Sequence, residues 1–200
     1  MTLSIYQLKP RFQQLLRPLV GMLAAARVTP NQLTIGTTLL MLVYGAALAS
    51  WPQQTGLWLG LVALLPLRMA LNALDGLLAK ATQQQTQLGA VLNEVCDLVS
   101  DLALYLPLAL LPGVNPTLAV LAVGLAAVAE TAGLAALAAG AARRFDGPMG
   151  KSDRAFAYGT MGLVAGLGGP ASWVNAALML VMLLLLATIT NRLRRIAPTT

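Results

Sequence analysis

The chain of 200 residues has no histidine, a single cysteine, few aromatics and little charge, with Asp, Glu, Lys and Arg making up 10% of it. Cys96 cannot close an intrachain disulfide. With no histidine to serve as its base, it reads as a small packing residue rather than a catalytic thiol. The scarcity of charge leaves no stretch that looks like a separate soluble domain. Hydrophobic residues make up 58% of the chain and the mean hydropathy is +0.73, values typical of polytopic helical membrane proteins. The net charge of +6 does not point to nucleic acid. The basic residues gather at the ends of apolar runs, as topology and lipid headgroups require, and no basic face is interleaved with aromatics. Lys9, Arg11 and Arg17 interrupt the N-terminal segment, which argues against a cleavable signal.

The expected fold is all-α, with six transmembrane helices, an N-terminal interfacial amphipathic helix and both termini in the cytoplasm. Residues 3–26 mix Tyr6, Phe12, Leu15, Leu16, Leu19 and Leu23 with polar residues, which suits a helix lying in the membrane interface; a plain topogenic tail fits equally well. We divide the chain into this segment, 1–29, and a membrane domain, 30–195. Thr29 and Pro30 are a cap and first turn for span one. The spans cover about 30–49, 56–80, 89–111, 117–142, 155–167 and 172–191, each measured against the ~20 helical residues that cross a bilayer. The fifth is short and can extend back through Asp153. Pro66 is a candidate kink in the second. Trp51 and Trp58 suit the interface. The fourth is rich in Ala and Gly, which allows close helix packing. Basic residues precede span one and follow spans two, four and six, and the other connections carry none. That positive-inside pattern places both termini in the cytoplasm.

One stretch, Asn72 to Asp101, holds most of the seven acidic residues. Asn72 and Asp75 are three apart, and Asn93, Asp97 and Asp101 are four apart, so each set shares one helix face. The polar run from Thr82 to Gln87 separates them and makes a helical hairpin. Antiparallel register sets Asn72 against Asp97 and Asp75 against Asn93. One turn deeper, Arg68 faces Asp101, and a buried Arg68–Asp101 ion pair is expected to hold the register. Two carboxylates and two amides suit a hard divalent cation; a hydrogen-bonded knot between helices suits the spacing as well. Gly76 and Gly89 beside the cluster favour a site that a substrate approaches closely. Glu94 adjoins Asn93 but is expected on a different helix face.

The stretch resembles the signature of the CDP-alcohol phosphotransferase family, D-x2-D-G-x2-A-R-x8-G-x3-D-x3-D. Here the pattern reads Asn72, Asp75, Gly76, Ala79, Lys80, Gly89, Asn93 and Asp97 at the family's spacing. Thr29-Pro30-Asn31 before the first span is similar too, as are the six-helix layout and the basic loop before the fifth. The resemblance implies transfer of a substituted phosphate from a CDP-linked lipid donor, usually CDP-diacylglycerol, to an alcohol, with release of CMP. It implies that Asp75, Asp97, Asn72 and Asn93 stand at the positions that hold one or two divalent cations, Mg²⁺ or Mn²⁺, and that Asp97 is also the base. Gly76, Ala79 and Gly89 would leave room for the cytidine nucleotide, with Lys80 near its phosphates. A homodimer is implied as well, and the positive-inside pattern puts the site on the cytoplasmic side of what is expected to be a bacterial-type inner membrane. The chain departs from the pattern at Asn72, Asn93 and Lys80. Two formal negative charges replace four, and Lys80 lacks the planar fork of arginine.

Arg143, Arg144, Lys151 and Arg154 form the second polar group. They suit topology, and they suit an anion pocket for a phosphorylated polyol acceptor, with Lys151 and Arg154 the stronger candidates beside the shaped turn Gly147-Pro148-Met149-Gly150. Glu130 in span four is left between pairing with a basic residue and touching substrate. The expected function is a membrane phosphotransferase of phospholipid biosynthesis. The alternatives are a catalytically weak relative that binds CDP-lipid or nucleotide, and a small helical transporter or assembly factor.

Overall fold

The computed structural model describes the backbone of residues 5–195 and the side chains of residues 14–195, and these are helical with short connections. The order is α1 (Ile5–Ala25), α2 (Pro30–Ser50), α3 (Thr55–Ala81), α4 (Gln87–Tyr105), a short 3-10 helix (Leu106–Leu110), α5 (Pro116–Ala138), α6 (Lys151–Gly166) and α7 (Ala171–Arg194). Four of them, α2, α3, α5 and α7, are long and apolar enough to cross a membrane. α4 carries too many polar residues and α6, at 16 residues, spans only about 24 Å at 1.5 Å per residue. α3 runs through Pro66 without a break.

Local chemistry explains the helix boundaries. Thr29 Oγ1 accepts from the Gln32 N–H at 3.2 Å while Gln32 Oε1 accepts from the Thr29 N–H at 2.9 Å, a capping box with Pro30 at the first helical position. α1 and α3 both end on a left-handed residue, Arg27 at φ 58° and Gln83 at φ 57°. In each, two backbone N–H groups reach back across the last turn, Arg27 to Ala24 and Val28 to Leu23, Gln83 to Lys80 and Gln84 to Ala79. That closure uses carbonyls the helix end would otherwise leave bare. Thr86 Oγ1 then accepts from the Gly89 N–H at 3.0 Å and opens α4, so the α3–α4 turn is fixed at both ends. Asn115 caps α5, accepting from Thr117 N at 2.9 Å.

The chain packs as two compact units, one holding the chain up to Met41 and Pro66–Ser100, the other Leu42–Leu65 and the chain from Asp101 onward. In the first, Leu16 and Val20 of α1 pack on Leu74 and Leu78 of α3. A neighbouring stripe of α1, Leu15, Leu19 and Met22, is exposed. A helix with one apolar stripe against protein and a second left bare suits a lipid interface. Tyr6 and Phe12, part of the amphipathic pattern, lie outside the described side chains.

In the second unit α5 and α7 pack against each other. α5 buries Ala119, Ala122, Val123, Ala126, Ala129, Ala132, Gly133 and Ala136, a stripe of small residues at helical spacing. α7 buries Val174, Leu178, Val181, Leu185, Thr188 and Arg192. Lipid tails are as apolar as leucine, so close fit rather than water exclusion stabilises such a pair, and the small stripe lets the backbones approach. The Trp58 ring, expected at the interface, is buried and its Nε1–H donates to the Pro52 carbonyl at 2.7 Å. Trp51 stays exposed.

Candidate functional site

In the first unit the hairpin register is the one the spacing implies. Asn72 Nδ2 donates to Asp97 Oδ1, and Asn93 Nδ2 donates to Asp75 Oδ2 at 2.8 Å. Antiparallel α3 and α4 present these residues at matching depth because each set recurs every three or four positions. Thr34 of α2 adds a third support: its Oγ1 donates to Asp75 Oδ2 at 2.9 Å. Asp75 is 4% exposed, so its carboxylate is worth holding only with such partners. Arg68, also buried, lies 3.7 Å from Asp97 Oδ1 and donates to the Asp97 backbone carbonyl at 2.8 Å.

Asn72, Asp75 and Asn93 line an open cleft of about 350 Å³. Gly76, Ala79, Lys80 and Gly89, the residues proposed for the nucleotide, line it too. A Cβ at Gly76 would meet nothing within 4 Å, so that wall is open, whereas at Gly89 it would crowd Asn31 Oδ1 at 3.1 Å. Asp97 joins the group through Asn72 and is half-buried.

Further wall residues, among them Asn31, Thr34 and Glu94, were not assigned to the site from sequence. Asn31 and Thr34 are three apart in the first turns of α2, the one signal that could have placed them on the cleft. Glu94 was expected on a different helix face from Asn93. It lines the cleft because Ala90 and Glu94, four apart, form the row beside Gly89 and Asn93, and the cleft is wide enough to take both rows.

No His, Cys, Asp or Glu group of three converges on a point among the described residues. The donor set is two carboxylates, two amides and a hydroxyl. By turning about its last torsion, each asparagine can present its carbonyl oxygen instead of its NH₂. Such oxygens, with two negative charges, fit one hard divalent cation of the kind that completes its shell with substrate phosphate. They match a second ion poorly.

The second polar group is differently built. Arg154 is 1% exposed. Its Nη2 lies 3.1 Å from Asp101 Oδ2 and 3.0 Å from Glu130 Oε2. Arg143 Nη2 lies 2.6 Å from Glu130 Oε1, and its guanidinium sits over the Phe145 ring. Glu130 thus pairs with basic residues. Arg144 is not brought to this group; it donates to the Arg195 backbone carbonyl at 2.6 Å. Lys151 opens α6. Arg192, buried in α7, had no role assigned from sequence. It donates to the carbonyls of Ala129 and Asp146, and the only hint was its place on the Leu185–Thr188 stripe. The turn before α6 closes tightly: Gly147 has φ 123° and a Cβ there would meet Thr188 at 2.7 Å, while Met149 N–H donates to Thr188 Oγ1 at 3.0 Å.

The family model of the CDP-alcohol phosphatidyltransferases matches residues 27–197. The chain belongs to that family. Its relatives include the inner membrane protein YnbA of Escherichia coli K12, 42% identical over 97% of this chain and 96% of that protein. A phosphatidylinositol phosphate synthase of Corynebacterium glutamicum is 31% identical over 52% of this chain and 45% of its own length. The fold is that of the Mycobacterium tuberculosis phosphatidylinositol phosphate synthase, solved with CDP-DAG bound, with a TM-score of 0.77, 20% identity and coverage of 90% of this chain and 92% of that one. The same enzyme was solved with manganese and citrate, with a TM-score of 0.76 and 21% identity. With four membrane-length helices and an inner membrane relative, this CDP-alcohol phosphatidyltransferase family member is a membrane protein.

Proposed function

We propose that this family member transfers a phosphatidyl group from a CDP-linked lipid, CDP-diacylglycerol in the first instance, to an alcohol. The observation that carries the reading is the cleft in which Asp75, held by Thr34 and Asn93, shares a wall with Gly76, Ala79, Lys80 and Gly89. A divalent cation, Mg²⁺ or Mn²⁺, would be held by Asp75 and Asp97 with the Asn72 and Asn93 carbonyl oxygens, and would supply neutralisation of charge on the departing CMP. Lys80 reaches the donor phosphates from the rim. The open backbone at Gly76 leaves space for the cytidine. Asp97 takes the proton of the acceptor hydroxyl as its oxygen bonds to phosphorus and the bond from phosphorus to CMP breaks. Asn72 and Arg68 orient Asp97 for that step. Below the site, an Arg68–Asp101 pair would brace the hairpin register.

In the membrane the reading places α2 to α7 as six spans, with α4 extended by the 3-10 helix and α6 as the short fifth. Both termini and the cleft lie on the cytoplasmic side, because the basic connections gather there. Lipid tails then enter from the bilayer and the nucleotide from the cytoplasm. A homodimer and the division into an interfacial segment, 1–29, and a membrane domain, 30–195, belong to the same reading.

The test is CMP release from CDP-diacylglycerol with Mg²⁺ or Mn²⁺ and a panel of hydroxyl acceptors. Turnover with at least one acceptor supports the proposal. Cation-dependent binding of CDP-lipid without turnover would leave the second reading, a weak or inactive relative, which the asparagines at positions 72 and 93 favour. Neither binding nor turnover would overturn both.

A further inference from the structure

We infer that Glu130 sets the class of acceptor: it occupies the anion position between Arg143 and Arg154, so the acceptor is an unphosphorylated polyol rather than a polyol phosphate. The inference rests on the phosphotransferase reading and deepens it.

Glu130 lies on α5 among alanines and glycine, where a carboxylate is expensive without partners. One of its oxygens is 2.6 Å from Arg143 Nη2 and the other 3.0 Å from Arg154 Nη2. A carboxylate shared by two guanidinium groups has the charge and geometry that a phosphate would bring. Arg154 is also committed to Asp101 at 3.1 Å. A phosphate arriving here would meet two carboxylates on the arginine it needs. It would bind only by displacing Glu130 from both arginines and leaving that charge unpaired in an apolar helix, a costly exchange.

Neutral hydroxyls meet no such obstacle. Arg154 Nε and Nη1 are buried with no hydrogen-bond partner among the described residues, and the same holds for the Tyr158 hydroxyl one turn along α6. Buried polar atoms of this kind are normally satisfied, so their number here points to a hydrogen-bonding occupant. The arginine N–H groups suit hydroxyl oxygens, and the remaining lone pairs of Glu130 suit hydroxyl hydrogens. Glu130 is 12% exposed and Arg143 25%, against 2% for Arg154, so the group is reached from the Glu130–Arg143 side. On α4, Asp101 follows Asp97 by one helical turn.

The full-length protein in lipid vesicles is given CDP-diacylglycerol and paired acceptors, glycerol against sn-glycerol 3-phosphate and inositol against inositol 1-phosphate. The unphosphorylated member of each pair should release CMP faster by roughly tenfold or more, the scale of a like-charge clash. Glu130→Gln should lower that ratio by about tenfold, and Glu130→Asp should restore it. Preference of the unaltered protein for the phosphorylated member would overturn the inference, as would an equal loss with both members in Glu130→Gln, the mark of a purely structural brace. A second readout is independent of turnover. sn-Glycerol 3-phosphate should raise the thermal midpoint of Glu130→Gln but not of the unaltered protein, and an equal rise in both would again overturn the inference. If the binding contrast holds and no acceptor releases CMP, the transfer reading fails and the selectivity of the group stands.

Discussion

The two polar groups of this membrane protein handle buried acid in opposite ways. In the first unit, the carboxylates of Asp75 and Asp97 receive hydrogen bonds from the neutral donors Asn93, Thr34 and Asn72, and the Arg68 guanidinium stands 3.7 Å from Asp97 Oδ1. In the second, Asp101 and Glu130 are met by guanidinium groups. A neutral donor orients a carboxylate without cancelling its charge, so Asp75 keeps negative potential facing an open cleft, while Arg68 offsets part of the charge on Asp97. A guanidinium cancels it, so the second group is internally neutralised and its charges hold helices together. The difference separates a place for a cation and phosphates from a place that discriminates among acceptors.

Breaking the first group at its base should have the largest effect. Asp97→Asn keeps the shape and removes the proton acceptor, and CMP release should fall by about 10²–10⁴-fold, the usual contribution of a general base. The thermal midpoint should fall less than in Arg154→Met, because Arg68 stands 3.7 Å from the Asp97 carboxylate and keeps its hydrogen bond to the backbone carbonyl. The second group should respond in the reverse sense. Arg154→Met strands Asp101 and Glu130 and should cost roughly 3–5 kcal/mol of stability, as loss of one partner in a buried pair does, read from thermal unfolding in detergent. If Arg154→Met spares stability but Asp97→Asn does not, the division of labour is wrong.

A smaller effect sharpens the contrast. Asn93→Asp, alone or with Asn72→Asp, exchanges a neutral partner for an acid facing Asp75. Mn²⁺ should bind about tenfold more tightly or better, since a unit charge near the ion is worth a few kcal/mol at an intermediate dielectric. Titration calorimetry or the Mn²⁺ resonance signal would follow it, and unchanged affinity would mean that position 93 does not face the ion. The smallest effect belongs to the Arg195–Asp146 pair at 2.7 Å, whose arginine is 64% exposed. Arg195→Ala should alter stability by only about 0–1 kcal/mol.

Much of the first group was legible from spacing. Asn72 and Asp75, and Asn93 and Asp97, recur at helical intervals on either side of a polar turn, so antiparallel register alone sets them opposite. Helix ends were legible for the same local reason, as at Thr29-Pro30. Glu94 was placed on a different helix face from Asn93 and still borders the cleft, because a helical wheel gives each residue an angle but not the width of the cleft it faces. The second group was legible only in part: its basic residues and a basic partner for Glu130 were in view, but not which residues pair. Arg154 finds Glu130 and Asp101, 24 and 53 residues away in the chain, and no periodicity links such positions. The sequence suggested free cations for a phosphate, while the fold commits Arg143 and Arg154 to Glu130 and Arg144 to a backbone carbonyl.

By itself, then, the sequence determined that this is an apolar helical membrane protein whose signature stretch folds as a hairpin with two acids facing two amides. Those properties depend on contacts along one helix or across one short turn. Only the tertiary structure decided where the arginines go, because each guanidinium takes whichever acid or backbone carbonyl the helix packing brings beside it.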